Sequence, residues 1–100
     1  MRVELRVEAR RDLVEAAGFY EQQREGLGAY FVDRVFEDLR RLEREGGIHE
    51  QIFGLHRKLS RRFPYAIYYR IDESVIDVVA VLDCRRDPNS ISERLTRRSG

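Results

Sequence analysis

Residues 65–82 read YAIYYRI-DES-VIDVVAVL, and they decide the fold. In the first run Tyr65, Ile67, Tyr69 and Ile71 share one side; Ala66, Tyr68 and Arg70 share the other. That period of two predicts a strand over 65–71. Asp72-Glu73-Ser74 reads as a turn. Residues 75–82 are almost wholly aliphatic and β-branched, which predicts a central strand covered on both faces. Upstream, Leu55, Arg57 and Leu59 alternate with His56, Lys58 and Ser60, giving a third strand and an antiparallel meander.

The N-terminal half has a different period. Val3, Leu5 and Val7 alternate with Arg2, Glu4 and Arg6, predicting a strand over 2–7. From Ala9 the apolar spacing becomes helical through Leu13, Ala16, Ala17 and Tyr20, so a helix is expected over about 9–24. Gly26-Leu27-Gly28 breaks it. A second helix is expected over about 29–45, with Phe31, Val35, Leu39 and Leu42 on one stripe, widened by Val32 and Phe36. Gly46-Gly47 ends it, and the two helices form an antiparallel hairpin. Near the C-terminus, Asp87 suits an N-cap and Pro88 the first helical position, with Ser90 and Glu93 offering an alternative capping box one turn later. The final helix, 89–97, has Ile91 and Leu95 as its apolar anchors, and the tail 97–100 is expected to fray. These elements define an α+β fold in one domain over 1–100: an N-terminal strand, a helical hairpin on an antiparallel sheet, and a short C-terminal helix.

The composition fits one modest core, with 42% hydrophobic and 37% charged residues among 100. No apolar run approaches the roughly 20 residues of a membrane helix, and the N-terminus has no signal-peptide pattern, so a cytoplasmic protein is expected. Cys84 is the single cysteine, which excludes an intrachain disulfide and a cysteine-built zinc site. Its place after an aliphatic strand suggests a small buried hydrophobe. No phosphate-cradling Gly-rich loop or G-x-S-x-G elbow occurs. His49-Glu50 opens like a zinc-protease motif, but Phe53 stands where the second His is needed. His49 reads as an exposed loop residue. No metal and no cofactor are expected.

The formal charge of +1 hides an asymmetry: residues 1–50 carry −3 and residues 51–100 carry +4. Two basic clusters flank the meander, Arg57, Lys58, Arg61 and Arg62 on one side and Arg85 and Arg86 on the other. Antiparallel pairing brings residues near 62 beside residues 83–86, so the clusters can converge at one end of the sheet. Cations there, with Tyr65 and Tyr68 nearby, suit an RNA backbone or an acidic protein partner.

Three stretches, GFYEQQREGLGAYFVDRVFEDLRRL, LSRRFPYAIYYRI and VIDVVAVLDCRRDP, together resemble the RelE/ParE superfamily of bacterial toxins. The resemblance runs through nearly the whole chain in order. It implies the toxin of a type II toxin–antitoxin pair, with the helical hairpin packed on an antiparallel sheet. RelE-like members cleave messenger RNA on the ribosome; ParE-like members poison DNA gyrase and are not nucleases. The resemblance places Arg57, Lys58, Arg61, Arg62, Arg85 and Arg86 where the family's basic residues stand. RelE-like nucleases also carry a Tyr or His after the basic strand end. Residues 87–100, DPNSISERLTRRSG, contain neither. A His common in relatives near the last strand's end is replaced by Asp83 or Cys84. His56 remains as a catalytic candidate, at a strand position expected to face solvent. This pattern favours the ParE-like, non-enzymatic side, with DNA gyrase as target. The alternatives are a ribosome-dependent mRNA endonuclease and an attenuated protein that only binds its partner. The cognate antitoxin is expected to add a strand at a sheet edge and lay an amphipathic helix against Phe19, Tyr30 and Val32 on the hairpin.

Overall fold

The computed structural model describes residues 1–98. The hairpin of 65–83 forms as expected: β4 (Tyr65–Asp72) pairs antiparallel with β5 (Val75–Asp83). A register shift at Tyr68/Tyr69 keeps Tyr65 opposite Asp83 at one end and Asp72 opposite Val75 at the other. Both strands are covered on two faces. Tyr65, Ile67, Tyr69, Ile76, Val78 and Val81 enter the larger core. Ala66, Tyr68, Val79, Ala80 and Leu82 enter a smaller one on the other face. Alternation divides β4 this way, a bulge at Val79 opposite the Tyr68/Tyr69 step puts Val79 and Ala80 of β5 in the same core, and two-sided burial explains the near-continuous aliphatic run of β5.

β3 (Leu55–Leu59) lies antiparallel to β4. A strand absent from the sequence reading, β2 (Gln51–Ile52), closes that edge. Its two-residue loop, Phe53-Gly54, has φ of 55° and 79°, the backbone of a primed hairpin turn. At the opposite edge β1 (Arg2–Leu5) pairs parallel to β5. The expected antiparallel sheet is therefore mixed, in the order β1-β5-β4-β3-β2. The first strand also stops at Leu5 rather than residue 7, because the helix α1 (Val7–Gln23) already begins at Val7.

α1 and α2 (Leu27–Glu45) pack as a hairpin on the larger-core face of the sheet. Their turn has a physical lock. Gly26 adopts φ of 85°, a region open to glycine at little steric cost. The Glu21 carboxylate accepts the Gly26 and Gly28 N–H groups, each at 2.9 Å, and so caps the free amides at the start of α2. Those bonds hold the Glu21 carboxyl below its usual range. A Cβ on Gly28 would stand 2.5 Å from the Ala17 carbonyl oxygen, so the close crossing needs glycine. Phe31, Val35, Leu39 and Leu42 form the buried stripe of α2 as expected. Val32 packs at its margin, whereas Phe36 points outward.

α3 (Pro88–Arg98) covers the smaller core with Ile91 and Leu95. The Asp87 carboxylate accepts the Asn89 N–H at 3.4 Å, and its carbonyl accepts the Ile91 N–H, which makes Asp87 the cap the sequence suggested. The expected fraying of Arg97 and Arg98 is overturned; Ser99 and Gly100 lie outside the described residues. Arg98 makes a two-pronged bond to Asp12 of α1, at 2.5 and 2.8 Å. Asp12, 4% exposed, also accepts the Val81 N–H of β5 at 3.0 Å. One carboxylate thus ties the first helix, the central strand and the last helix. Beside it Arg6 binds the carboxylate of Asp77 and the carbonyl of Arg98.

Candidate functional site

The turn between β3 and β4 and the segment after β5 lie side by side. Tyr65 pairs with Asp83, and the Cys84 N–H donates to the Pro64 carbonyl at 2.8 Å. Arg61 and Arg62 on one segment therefore share an end of the sheet with Arg85 and Arg86 on the other. Their states differ. Arg85 is held by the Asp83 carboxylate at 3.0 and 2.7 Å, and that pairing keeps the Asp83 carboxyl below its usual range. Arg62 donates to the Tyr30 hydroxyl at 3.0 Å. Among the described residues, no ion pair engages Arg61, Arg62 or Arg86. Ser60 organises the turn: its hydroxyl oxygen accepts the Arg62 and Phe63 N–H groups, both at 3.3 Å.

Arg57 and Lys58 do not join this set. They are consecutive strand residues and must face opposite ways. Arg57 lies opposite Tyr68 on the α3 side and binds Glu50 at 2.5 Å. Lys58 lies on the helix side, 8% exposed, and binds Glu45 at the end of α2 at 2.7 Å. The carboxyl of Glu45 is lowered chiefly by that bond.

An open groove of about 610 Å³ borders the basic end. Phe19, Tyr20 and Phe31 from the hairpin and Tyr65 and Val81 from the sheet give it an apolar floor, and Arg86 stands on its rim. The aromatics form a continuous set: Phe63 meets Tyr20, Phe31 and Tyr30 with ring centroids 4.9–5.7 Å apart. Phe19 and Tyr30 are 53% and 40% exposed, so both are accessible as the sequence reading requires. Val32 is half-buried against the core and offers less.

Both histidines sit at the other end of the meander. His56 does not face solvent as expected: its ring stacks on Tyr69, centroids 5.1 Å apart, and its Nδ1 lies 2.8 Å from the His49 carbonyl. His49 is likewise not an exposed loop residue. Its Nδ1 meets the Tyr69 hydroxyl at 2.5 Å, and that hydroxyl accepts the Gly47 N–H at 3.1 Å. Burial, then the Lys58 ammonium, push the His49 pKa down. Cys84 is exposed, contrary to the buried role expected of it. Among the described residues no group of three or more His, Cys, Asp or Glu could hold a metal ion. No helix there is long and apolar enough to cross a membrane.

Two contributors to the basic end escaped the sequence reading. Arg34 and Arg41 of α2 border a recess beside Arg61 and Arg62. Their separation of seven residues, two helical turns, was the available signal.

A helical hairpin on a mixed sheet, with a basic end beside an aromatic groove, defines a small α+β binding fold. The chain belongs to the family described as the ParE toxin of the type II toxin–antitoxin system parDE, whose model matches residues 3–88. Among solved structures it is similar to the chromosomal ParDE toxin–antitoxin system from P. aeruginosa, at 17% identity and a TM-score of 0.68, covering 81% of this chain and 92% of that one. No match is found among curated proteins. Membership of a toxin–antitoxin family implies a cognate antitoxin as partner.

Proposed function

We propose that this ParE-family toxin inhibits growth by binding DNA gyrase in the cytoplasm, without cutting RNA, and is silenced by its antitoxin in the Phe19 groove. The observation that carries this reading is the separation of cations from proton-transfer groups. Cleaving RNA needs a base for the 2′-hydroxyl and an acid for the leaving oxygen. Neither His nor Tyr follows Arg86. Asp83, next to the cations, is held ionised by Arg85. Tyr65 is buried, donates to Asp38 at 2.7 Å, and has its pKa pushed up by burial. His56 pairs across from Tyr69, four residues along β4 from Tyr65, or about 13 Å at strand spacing. The end is equipped to bind an anionic surface, and the titratable side chains described beside its cations, Tyr30, Asp83 and Tyr65, are each engaged by a neighbour. The groove supports the antitoxin half of the proposal: an apolar floor with a charged rim suits one face of an amphipathic helix.

A supercoiling assay with gyrase, run beside a ribosome-dependent mRNA cleavage assay, tests it. Supercoiling should be inhibited with mRNA intact, and Arg61→Gln with Arg86→Gln should weaken inhibition by about tenfold or more, the scale of removing charge-assisted hydrogen bonds. Vigorous mRNA cleavage with unaffected supercoiling would sink the proposal. Changing Phe19 and Tyr30 together to Glu should release an antitoxin peptide in a pull-down while leaving the fold intact, since both rings are exposed.

A further inference from the structure

A second recess, about 180 Å³, lies between α2 and the β3–β4 turn. Four guanidinium groups border it, from Arg34, Arg41, Arg61 and Arg62, together with Ser60. Two carboxylates oppose them, and both are engaged. Asp38 accepts the Tyr65 hydroxyl proton at 2.7 Å. Glu37 is shared: it binds Arg34 and lies 3.8 Å from Arg41. Arg61 and Arg62 are left without a carboxylate among the described residues, so the recess keeps an excess of two positive charges. Arg34 adds an Nε–H that is buried without an acceptor, a condition native structures seldom leave unanswered. Guanidinium forks match the geometry of phosphate oxygens.

We propose that this recess binds a phosphate of a nucleic-acid backbone. Three features favour a backbone over a free phosphate or a base-reading contact. The recess is small and open, of a size for one phosphate group. Arg86 stands at the same end of the sheet, because Pro64 adjoins Cys84, so a further cation is at hand for a neighbouring phosphate. The nearest exposed aromatic, Tyr30, has its hydroxyl bound by Arg62 and the Arg34 guanidinium 5.8 Å from its ring centroid. Its hydroxyl is therefore engaged by one of the recess cations, and the contact reads charge through the guanidinium groups. Binding is independent of sequence.

The test uses the purified toxin and a labelled DNA duplex of about 20 base pairs, titrated by fluorescence anisotropy between about 50 and 200 mM salt. Gyrase is absent, so failure of the gyrase proposal and failure of this one are separate results. Replacing Arg41 and Arg61 together by Gln should lower affinity at least tenfold at the low-salt end. It should also flatten the log–log salt slope by about 0.9, the contribution of the one phosphate no longer neutralised. A control with Arg10→Gln and Arg11→Gln, exposed on α1, removes the same charge elsewhere and should keep the slope. Inorganic phosphate should compete with the duplex beyond what chloride does at matched ionic strength. Equal effects in both double variants would reduce the binding to net charge and overturn the site. So would an unchanged slope in the recess variant, or binding of inorganic phosphate with no binding of the duplex.

Discussion

The two ends of β4 treat charge in opposite ways. Where the strand begins, Arg61, Arg62 and Arg86 carry no ion pair among the described residues, and the nearby carboxylates serve Arg85 and Tyr65. Beyond its middle, around Tyr69, nearly every polar group has a partner: Lys58 with Glu45, His49 with Tyr69, His56 with the His49 carbonyl. The histidines are thus built into the structure, and Arg61, Arg62 and Arg86 are left without an ion pair among the described residues. The free cations are candidates for a partner's surface, and the polar cluster holds the edge of the sheet to the end of α2. Residue type alone does not distinguish the two; the state of the partners does.

The largest effect belongs to a cation wholly engaged by the fold. Arg98→Ala should destabilise the protein by about 3 kcal/mol, because it strips the ion partner from Asp12, a carboxylate whose side chain is 2% exposed. The Val81 N–H would still donate to that carboxylate, but a neutral amide does not balance its charge. For a domain of this size the change lowers the melting temperature by roughly 10 °C or more. Urea unfolding should show the midpoint falling. A drop under about 1 kcal/mol would mean the clamp contributes no more than a surface pair.

A smaller effect, with a defined pH window, comes from the Tyr69 end. The folded state depresses the His49 pKa below its ordinary 6.5. The unfolded chain therefore binds the proton more readily, and stability rises with pH through this window. The stabilisation is complete above about 6.5 and is lost as pH falls toward the depressed folded value. Glu45, depressed by Lys58, acts in a separate window below its ordinary 4.5. Stability measured between pH 7.5 and 5 should fall in the natural protein, and His49→Gln should flatten that slope while leaving the more acidic limb. Parallel profiles would dissociate His49 from the pH response.

Much of the fold was legible because local pattern and tertiary environment agree. The alternation of 65–71 and the aliphatic run of 75–82 give two buried strands, and the Phe31–Leu42 stripe gives the buried face of α2. What escaped depends on distant partners. β2 has two residues, too few to show a period, and its turn puts Phe53 at positive φ where bulky residues are uncommon. β1 could not announce its parallel partner 73 residues away. Asp12 reads as one polar residue among many on α1; its burial depends on Arg98, 86 positions later. In the site, the meeting of residues 61–62 with 85–86 followed from antiparallel pairing, and the opposite facing of Arg57 and Lys58 was implicit in the same alternation. The burial of His49 and His56 was not, since it rests on Tyr69 and on the short β2 edge.

The smallest stability effect is expected where the functional effect is greatest. Arg61 is an exposed turn residue without an ion pair among those described, and Arg86 is engaged there through its backbone N–H, bonded to the Asp83 carbonyl at 3.2 Å. Replacing either side chain with Gln removes no interaction that the fold uses, so the change in unfolding free energy should stay within about 0.5 kcal/mol. Removing a like charge from a cationic cluster can even raise stability slightly, because the cations repel at close range. Gyrase inhibition should nevertheless fall. Arg85→Gln sharpens the contrast: it frees Asp83 from its guanidinium partner, so the Asp83 carboxyl should rise from its depressed value and place a negative charge among the remaining cations at neutral pH. If free cations are what the target meets, Arg61→Gln and Arg86→Gln should cost inhibition with no loss of stability. Inhibition that tracked stability across all three variants would show that this end of the sheet acts through folding alone.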